Sequence, residues 1–364
     1  MVPKTAKSRQ NCYDRCKLFK LFLNMLRTLS APSELLVRHL DLFKDQNLAL
    51  VGQIHDDFAL DLLEHSASVT VYCNHFGHYQ HLQTQERDQL KVVFTASPVI
   101  NETIDTLILY MPKAKAEAQF LLAQVLAQLQ PGTTIFIVGE NKGGVNAAPN
   151  LLKEHQLSCQ KIDSARRCSL YFSELEGTIK AFELESWIKQ IPDLQSQLEL
   201  VSLPGVFGHG KLDEGTKLLL EHLPKLSGSV LDFGCGCGVI ALSLATQSTL
   251  KVSGLDVSAY AIESCRLNQQ YNQINAHFFA SDGLNEVKDS YDVIVSNPPF
   301  HEGTKTQYQT SETFLKQAKQ HLRPEGELWL VANKFLAYES ILQSHFSTVR
   351  EVASNGRFKI LAAS

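Results

Sequence analysis

The sequence predicts an α/β protein built twice over: two tandem halves, each a mostly parallel sheet wound on both faces by helices. Three observations predict it. Apolar, β-branched runs such as Leu48–Ile54, Val69–Cys73, Val230–Asp232 and Asp292–Val295 read as buried strands that alternate with helical stretches. The same succession of signals then occurs twice, at the scale of a whole domain. Finally, Asn355-Gly356, between the strand-like runs Phe346–Ala353 and Arg357–Ala363, is a short hairpin signal that gives the second sheet an antiparallel C-terminal edge.

At 364 residues, 44% hydrophobic and 20% charged, the chain has enough apolar material for two cores. No run of 18 apolar residues occurs, which excludes a membrane-spanning helix. The formal charge of −4 neither suggests nor excludes RNA, since an acidic protein can carry a local basic patch. Eight cysteines lack paired zinc-type spacing and fit reduced thiols in a cytoplasmic protein. Residues 1–29 form a basic extension, with Lys4, Lys7, Arg9, Arg15, Lys17 and Lys20 facing only Asp14 before residue 25. This stretch is expected to be a disordered tail, an RNA-touching arm, or the product of a start placed ahead of Met25. Lys20 interrupts its apolar segment, which disfavours a signal peptide.

The halves take residues 30–182 and 203–364, joined by a linker over 183–202 with an expected helix at Glu183–Ile191 before Pro192. Asp105–Pro112, a helix from Glu117 to Leu129, Gln130-Pro131-Gly132 and the strand Thr134–Gly139 echo Asp292–Pro299, a helical stretch, Arg323-Pro324-Glu325-Gly326 and the strand Glu327–Ala332. The halves differ where chemistry would sit. Tyr110 stands in the place of Asn297, and Cys73 in the place of Asp256. The first half is therefore expected to bind no cofactor and to serve stability or RNA docking.

The second half carries the candidate site. Asn297-Pro298-Pro299-Phe300-His301 follows a buried strand, and its two prolines remove two donors and fix φ. Asn297 is thus presented in a stiff turn with its carboxamide and nearby carbonyls free to hold an amine. Upstream, Gly234, Gly236 and Gly238 alternate between the strand ending at Asp232, itself a candidate cofactor-binding residue, and the helix Val239–Ala245, so that a ligand can approach the backbone. Asp256 ends the next strand, where a carboxylate can accept from both ribose hydroxyls, and Asp282 after Ala276–Ala280 can accept from an adenine amine or simply shape a turn before Gly283. Gly236-x-Gly238-x-x-Ala241 with Asp256 also satisfies a dinucleotide fingerprint. A dehydrogenase reading leaves the Asn-Pro-Pro-Phe turn unexplained. Cys73, His75, His78 and His81 suit no standard zinc spacing and read as a helix start with scattered histidines; no metal is expected.

On these residues the second half resembles a class I, S-adenosylmethionine-dependent methyltransferase, and Asn-Pro-Pro-Phe resembles the signature of amino-group methylators. Leu203–Phe207, Asp163–Cys168 and Gly356–Lys359 bring it closest to the duplicated-domain guanine-N2 methyltransferases of bacterial small-subunit ribosomal RNA, the methyltransferase C family. The resemblance covers about residues 30 to 364 and implies two tandem Rossmann-like domains with the second active. It further implies S-adenosylmethionine as cofactor, 16S ribosomal RNA or the small subunit as partner, and a monomer. Asn297 and the Pro298 carbonyl would hold the amine, Phe300 would stack on the base beside Pro299, and His301 would contact phosphate or orient the turn. Phe207 would close over the methionine end. Arg166 and Arg167 would bind RNA phosphate or form a salt bridge to the other domain. Protein-glutamine N5 and DNA adenine-N6 methyltransferases share the Asn-Pro-Pro turn but more often follow it with tyrosine. A silent RNA-binding assembly factor is argued against by the intact Asn297, Asp256 and glycine loop.

Overall fold

The computed structural model describes residues 29–192, 198–298 and 305–364, with side chains from 311 onward in the last segment. The basic extension therefore lies outside the described residues up to position 28.

Two seven-stranded sheets carry the fold. The first contains β1 (Asn47–Gly52), β2 (Ser68–Cys73), β3 (Leu90–Phe94), β4 (Thr106–Tyr110), β5 (Thr134–Glu140), β6 (Gln160–Ala165) and β7 (Cys168–Glu174). Next come the short strands β8 (Lys189–Gln190) and β9 (Val201–Ser202). The second sheet contains β10 (Gly228–Phe233), β11 (Leu250–Asp256), β12 (His277–Ala280), β13 (Tyr291–Ser296), β14 (Leu322–Asn333), β15 (Val349–Ser354) and β16 (Phe358–Ala363). Strand orders are β3-β2-β1-β4-β5-β7-β6 and β12-β11-β10-β13-β14-β16-β15, the same topology twice. In each sheet the first five strands in sequence are parallel, and the last two pair antiparallel at one edge. This is the doubly wound class I arrangement that the duplicated signals lead one to expect.

Strand alternation divides each sheet between two cores. On β13, Val293 and Val295 face one apolar cluster while Ile294 faces the other. The first of these clusters crosses the halves: Phe120 and Ala96 pack with Ile191, Leu200 and the β10–β11 face of the second sheet.

One expectation needs correction, and another is met through a different turn. Glu183–Ile191 is not a helix but one 3-10 turn, Leu184–Ser186, followed by β8 paired antiparallel with β9. Its one aromatic residue, Trp187, packs half-buried on the first half: it stacks on the preceding Phe182 at 6.5 Å, and both meet Phe120 edge-on at 5.8 and 5.6 Å. The β15–β16 hairpin forms, but neither Asn355 nor Gly356 takes a left-handed φ, as a type I′ turn requires. The Asn355 carboxamide oxygen accepts from the backbone N–H of Arg357 and Phe358 at 2.8 and 2.7 Å, an Asx turn.

The halves meet through corresponding loops. Cys73 and Asp256 end β2 and β11, so residues 74–76 match 257–259. Phe76 N–H donates to the Val257 carbonyl at 2.8 Å, Ala259 N–H donates to the Asn74 carbonyl at 2.9 Å, and His75 pairs with Ser258 between them. The two bonds exchange under a pseudo-twofold axis, as in a symmetric dimer. Glu117 is 5% exposed at this interface, where Asn74 Nδ2 donates to its carboxylate at 3.3 Å. Burial raises its pKa to about 7, against the opposing hydrogen bonds from Gln53 and Asn74.

A raised folded-state pKa means that the stability contributed by neutral Glu117 is full below the ordinary carboxyl value of 4.5 and is lost as pH rises through about 7. Replacing Glu117 with Gln should therefore raise Tm by several degrees at about pH 8 and flatten its fall between about pH 5 and 7. Thermal melts of both proteins across that range check it; parallel curves would refute the buried-acid assignment.

Candidate active site

The order of the second sheet reverses at β10, whose neighbours are β11 and β13, and the crevice beyond the C-terminal ends of these strands is where such sheets bind ligands. A cavity of about 1280 Å³ opens there. It exceeds the roughly 300–1,000 Å³ usual for one small ligand, leaving room for two.

The glycine loop forms its floor. Gly234 and Gly236 line the cavity with φ of 71° and 55°, values a side chain rarely tolerates. A Cβ on Gly234 would meet nothing within 4 Å, so open space lies in front of it for a ligand. Asp256 also lines the cavity, its Oδ2 accepting from Gly236 N–H at 3.0 Å and its Oδ1 from Ser258 N–H at 2.9 Å. Burial raises the Asp256 pKa, while those N–H groups and the nearby His75 oppose the rise. Asp282 stands exposed on the same wall.

At the other end, Asn297 and Pro298 line the cavity at the end of β13. Asn297 Nδ2 donates to Asp213 Oδ2 and to Thr216 Oγ1, both at 2.8 Å. A carboxylate only accepts, so it dictates which way the amide faces. Both amide hydrogens are taken, and Oδ1 is left to accept from a ligand. Asp213 Oδ2 also accepts from Thr216 N–H at 2.9 Å, capping the helix Glu214–His222. One carboxylate thus starts a helix and orients Asn297.

Phe207, Gly234, Gly236, Asp256, Asp282, Asn297 and Pro298 all lie on the cavity wall. Four expected residues do not. Gly238 faces away, where a Cβ would crowd Cys265 Sγ at 3.1 Å and Leu242 Cδ1 at 3.2 Å, so its smallness serves packing behind the loop. Asp232 is fully buried beneath the loop, with Oδ2 accepting from Ala241 N–H at 3.0 Å and Oδ1 unpartnered. Burial pushes its pKa up to about 7. Arg166 and Arg167 form the turn between β6 and β7 at the far edge of the first sheet. The salt bridge expected to the other domain is made instead within the first half, between Arg166 and Glu34. Pro299, Phe300 and His301 lie outside the described residues.

The structure adds His75, Asp213, Thr216, Lys334, Phe335 and Arg357 to the wall. Asp213 with Thr216 three residues on was readable as a helix cap, but nothing local ties that cap to Asn297. Phe335, 66% exposed, and Phe207, 57% exposed, stand on the wall as aromatic surfaces.

Known proteins share this architecture. A family model described as the methyltransferase small domain matches residues 197–362, and one described as its N-terminal domain matches residues 33–191. The ribosomal RNA small subunit methyltransferase C of Psychromonas ingrahamii is 40% identical over 339 residues, 92% of this chain and 97% of its own. The same-named protein of Aeromonas hydrophila is 41% identical over 339 residues, covering 92% and 98%. A T. thermophilus 16S rRNA guanine-N2 methyltransferase, solved with AdoMet and guanosine, superposes over 92% of both chains with a TM-score of 0.77 at 24% identity, a likeness of fold.

Losing the Asp213 carboxylate should uncap a helix and free the Asn297 amide. Asp213→Ala is expected to cost about 1–2 kcal/mol of stability, read as a lower midpoint in urea with unchanged slope. An unaltered midpoint would mean that the carboxylate holds neither partner.

Proposed function

The chain belongs to the ribosomal RNA small subunit methyltransferase C family, and from that premise we propose that it methylates the exocyclic N2 of a guanine in 16S ribosomal RNA, with S-adenosylmethionine (AdoMet) as donor. The observation that carries the residue-level reading is the clamped amide of Asn297 on the cavity wall, with both hydrogens on Asp213 and Thr216 and the oxygen left as the group able to accept.

The residues present fit AdoMet. Open space lies before Gly234, Asp256 offers carboxylate lone pairs to ribose hydroxyls, and Asp282 can accept from the adenine amine. Phe207 stands on the wall beside the glycine loop to cover the methionine end. When bound, AdoMet supplies an electrophilic methyl on a sulfonium leaving group.

The remaining work falls to the chain. A guanine amine is a poor nucleophile because its lone pair is delocalised into the ring. Asn297 Oδ1 and the Pro298 carbonyl would each accept one amine N–H, drawing the nitrogen toward tetrahedral geometry and aiming its lone pair. Pro299 carries no N–H to compete for such acceptors. Holding the nucleophile in line supplies most of the acceleration, and the spare proton can leave after transfer. Phe300 would stack on the base, which must first leave its helix if it is paired. This reading takes a monomer in the cytoplasm, free of metal and membrane, acting on small-subunit RNA or the assembled subunit. Asp232 and Gly238 support the glycine loop from behind.

Two experiments test it. Labelled methyl from AdoMet should enter small ribosomal subunits or their RNA and be recovered as N2-methylguanosine; label only in a glutamine-bearing release factor would overturn the substrate. Asn297→Ala should leave AdoMet affinity within about threefold and lower kcat by about 100-fold or more, and Asp213→Asn should lower kcat with far less loss of stability. Full turnover without Asn297 would remove the mechanism.

A further inference from the structure

The first half reaches into the other half's cavity. Its segment 74–77 follows β2 and is locked by the paired backbone bonds to Val257 and Ala259, directly after Asp256. His75 from this segment lines the cavity, and the charged groups that act on its ring are Asp282 and Asp256. Its Nδ1 is buried without a partner. Two residues on, Gly77 touches Asp282: a Cβ there would sit 2.3 Å from Asp282 Oδ2 and 2.8 Å from its Cγ. Gly77 needs no left-handed backbone, so what a side chain there would disturb is the place of the Asp282 carboxylate. Further along the helix that carries Gly77, Phe76–Gln83, Gln80 Nε2 donates to Glu286 Oε1 at 2.6 Å, fastening the loop that carries Asp282.

We propose that the first half is a wall of the AdoMet pocket: Gly77 sets the position of the Asp282 carboxylate, and His75 closes the pocket beside Asp256 and Asp282. The assignment rests on reading these two acids as the adenosine acceptors, and it gives the first half a role in cofactor affinity that neither its own fold nor RNA docking requires. Gly77 and His75 are positioning residues, since the carboxylates make the contact. A carboxylate pushed aside by a new methyl group loses its line to the adenine amine, whereas a ligand without that amine loses nothing.

The test uses the full chain and calorimetric binding of two ligands, S-adenosylhomocysteine and S-inosylhomocysteine, which carries oxygen in place of the amine. Gly77→Ala should weaken the adenosyl ligand about tenfold and leave the inosyl ligand unchanged, and its effect should vanish in an Asp282→Ala background, as expected for residues acting through one another. His75→Ala should weaken both ligands severalfold. If Gly77→Ala proves unstable, the Gly77→Ala/Asp282→Ala pair removes the clash and should recover the melting temperature without recovering affinity for the adenosyl ligand. A lower melting temperature with unchanged affinity would reduce Gly77 to interface packing and overturn the proposal. Equal loss for both ligands would do the same. Failure of the unaltered protein to bind S-adenosylhomocysteine would instead sink the parent assignment of the cofactor.

Discussion

An acid that can only accept governs the reactive end of this molecule. Asp213 captures one Asn297 amide hydrogen and a helix N–H on the same oxygen, so the orientation of the amide and the placement of the helix are one event. Without it the carboxamide could turn over and present N–H groups where it now presents an oxygen. Thr216 completes the clamp from the first turn of the capped helix. The strand end, the proline turn and the glycine loop then have a fixed point to face.

Much of this was legible in the sequence because it depends on neighbours in the chain. Strand runs, the duplicated order and the alternating glycines follow from apolar periodicity and local backbone demands, and they predicted the fold and most of the expected wall residues, whereas Phe207 came only from the family resemblance. Partnerships across long separations were not legible. Asp213 and Asn297 are 84 residues apart, and no local pattern links a helix cap to a proline turn. Gly238 illustrates the opposite error, since a glycine in a ligand-binding pattern answers here to Cys265 and Leu242 behind it. The expected helix at Glu183–Ile191 gave way to contacts made across the chain, Trp187 packing on Phe120 and Lys189-Gln190 pairing with Val201-Ser202.

The first half makes the limits of reading decay plain. Tyr110 and Cys73 stand where the second half has Asn297 and Asp256, and from the sequence that half reads as scaffold. Yet the loop after Cys73 keeps its backbone exchange with the loop after Asp256, and through that contact His75 and Gly77 arrive at the other half's acids. The loop of one half thus frames the cavity of the other.

The matched pair of bonds between residues 74–76 and 257–259 has a historical consequence. Bonds that exchange under a twofold rotation are what two identical single-half chains would make on self-association. Fusion of such a pair would have tied the genes together and freed one catalytic centre to drift, while the shared seam stayed under selection from both sides. Chimeras between relatives should then tolerate exchange of whole chains more readily than exchange of halves, unless the residues on the two faces of the seam travel together.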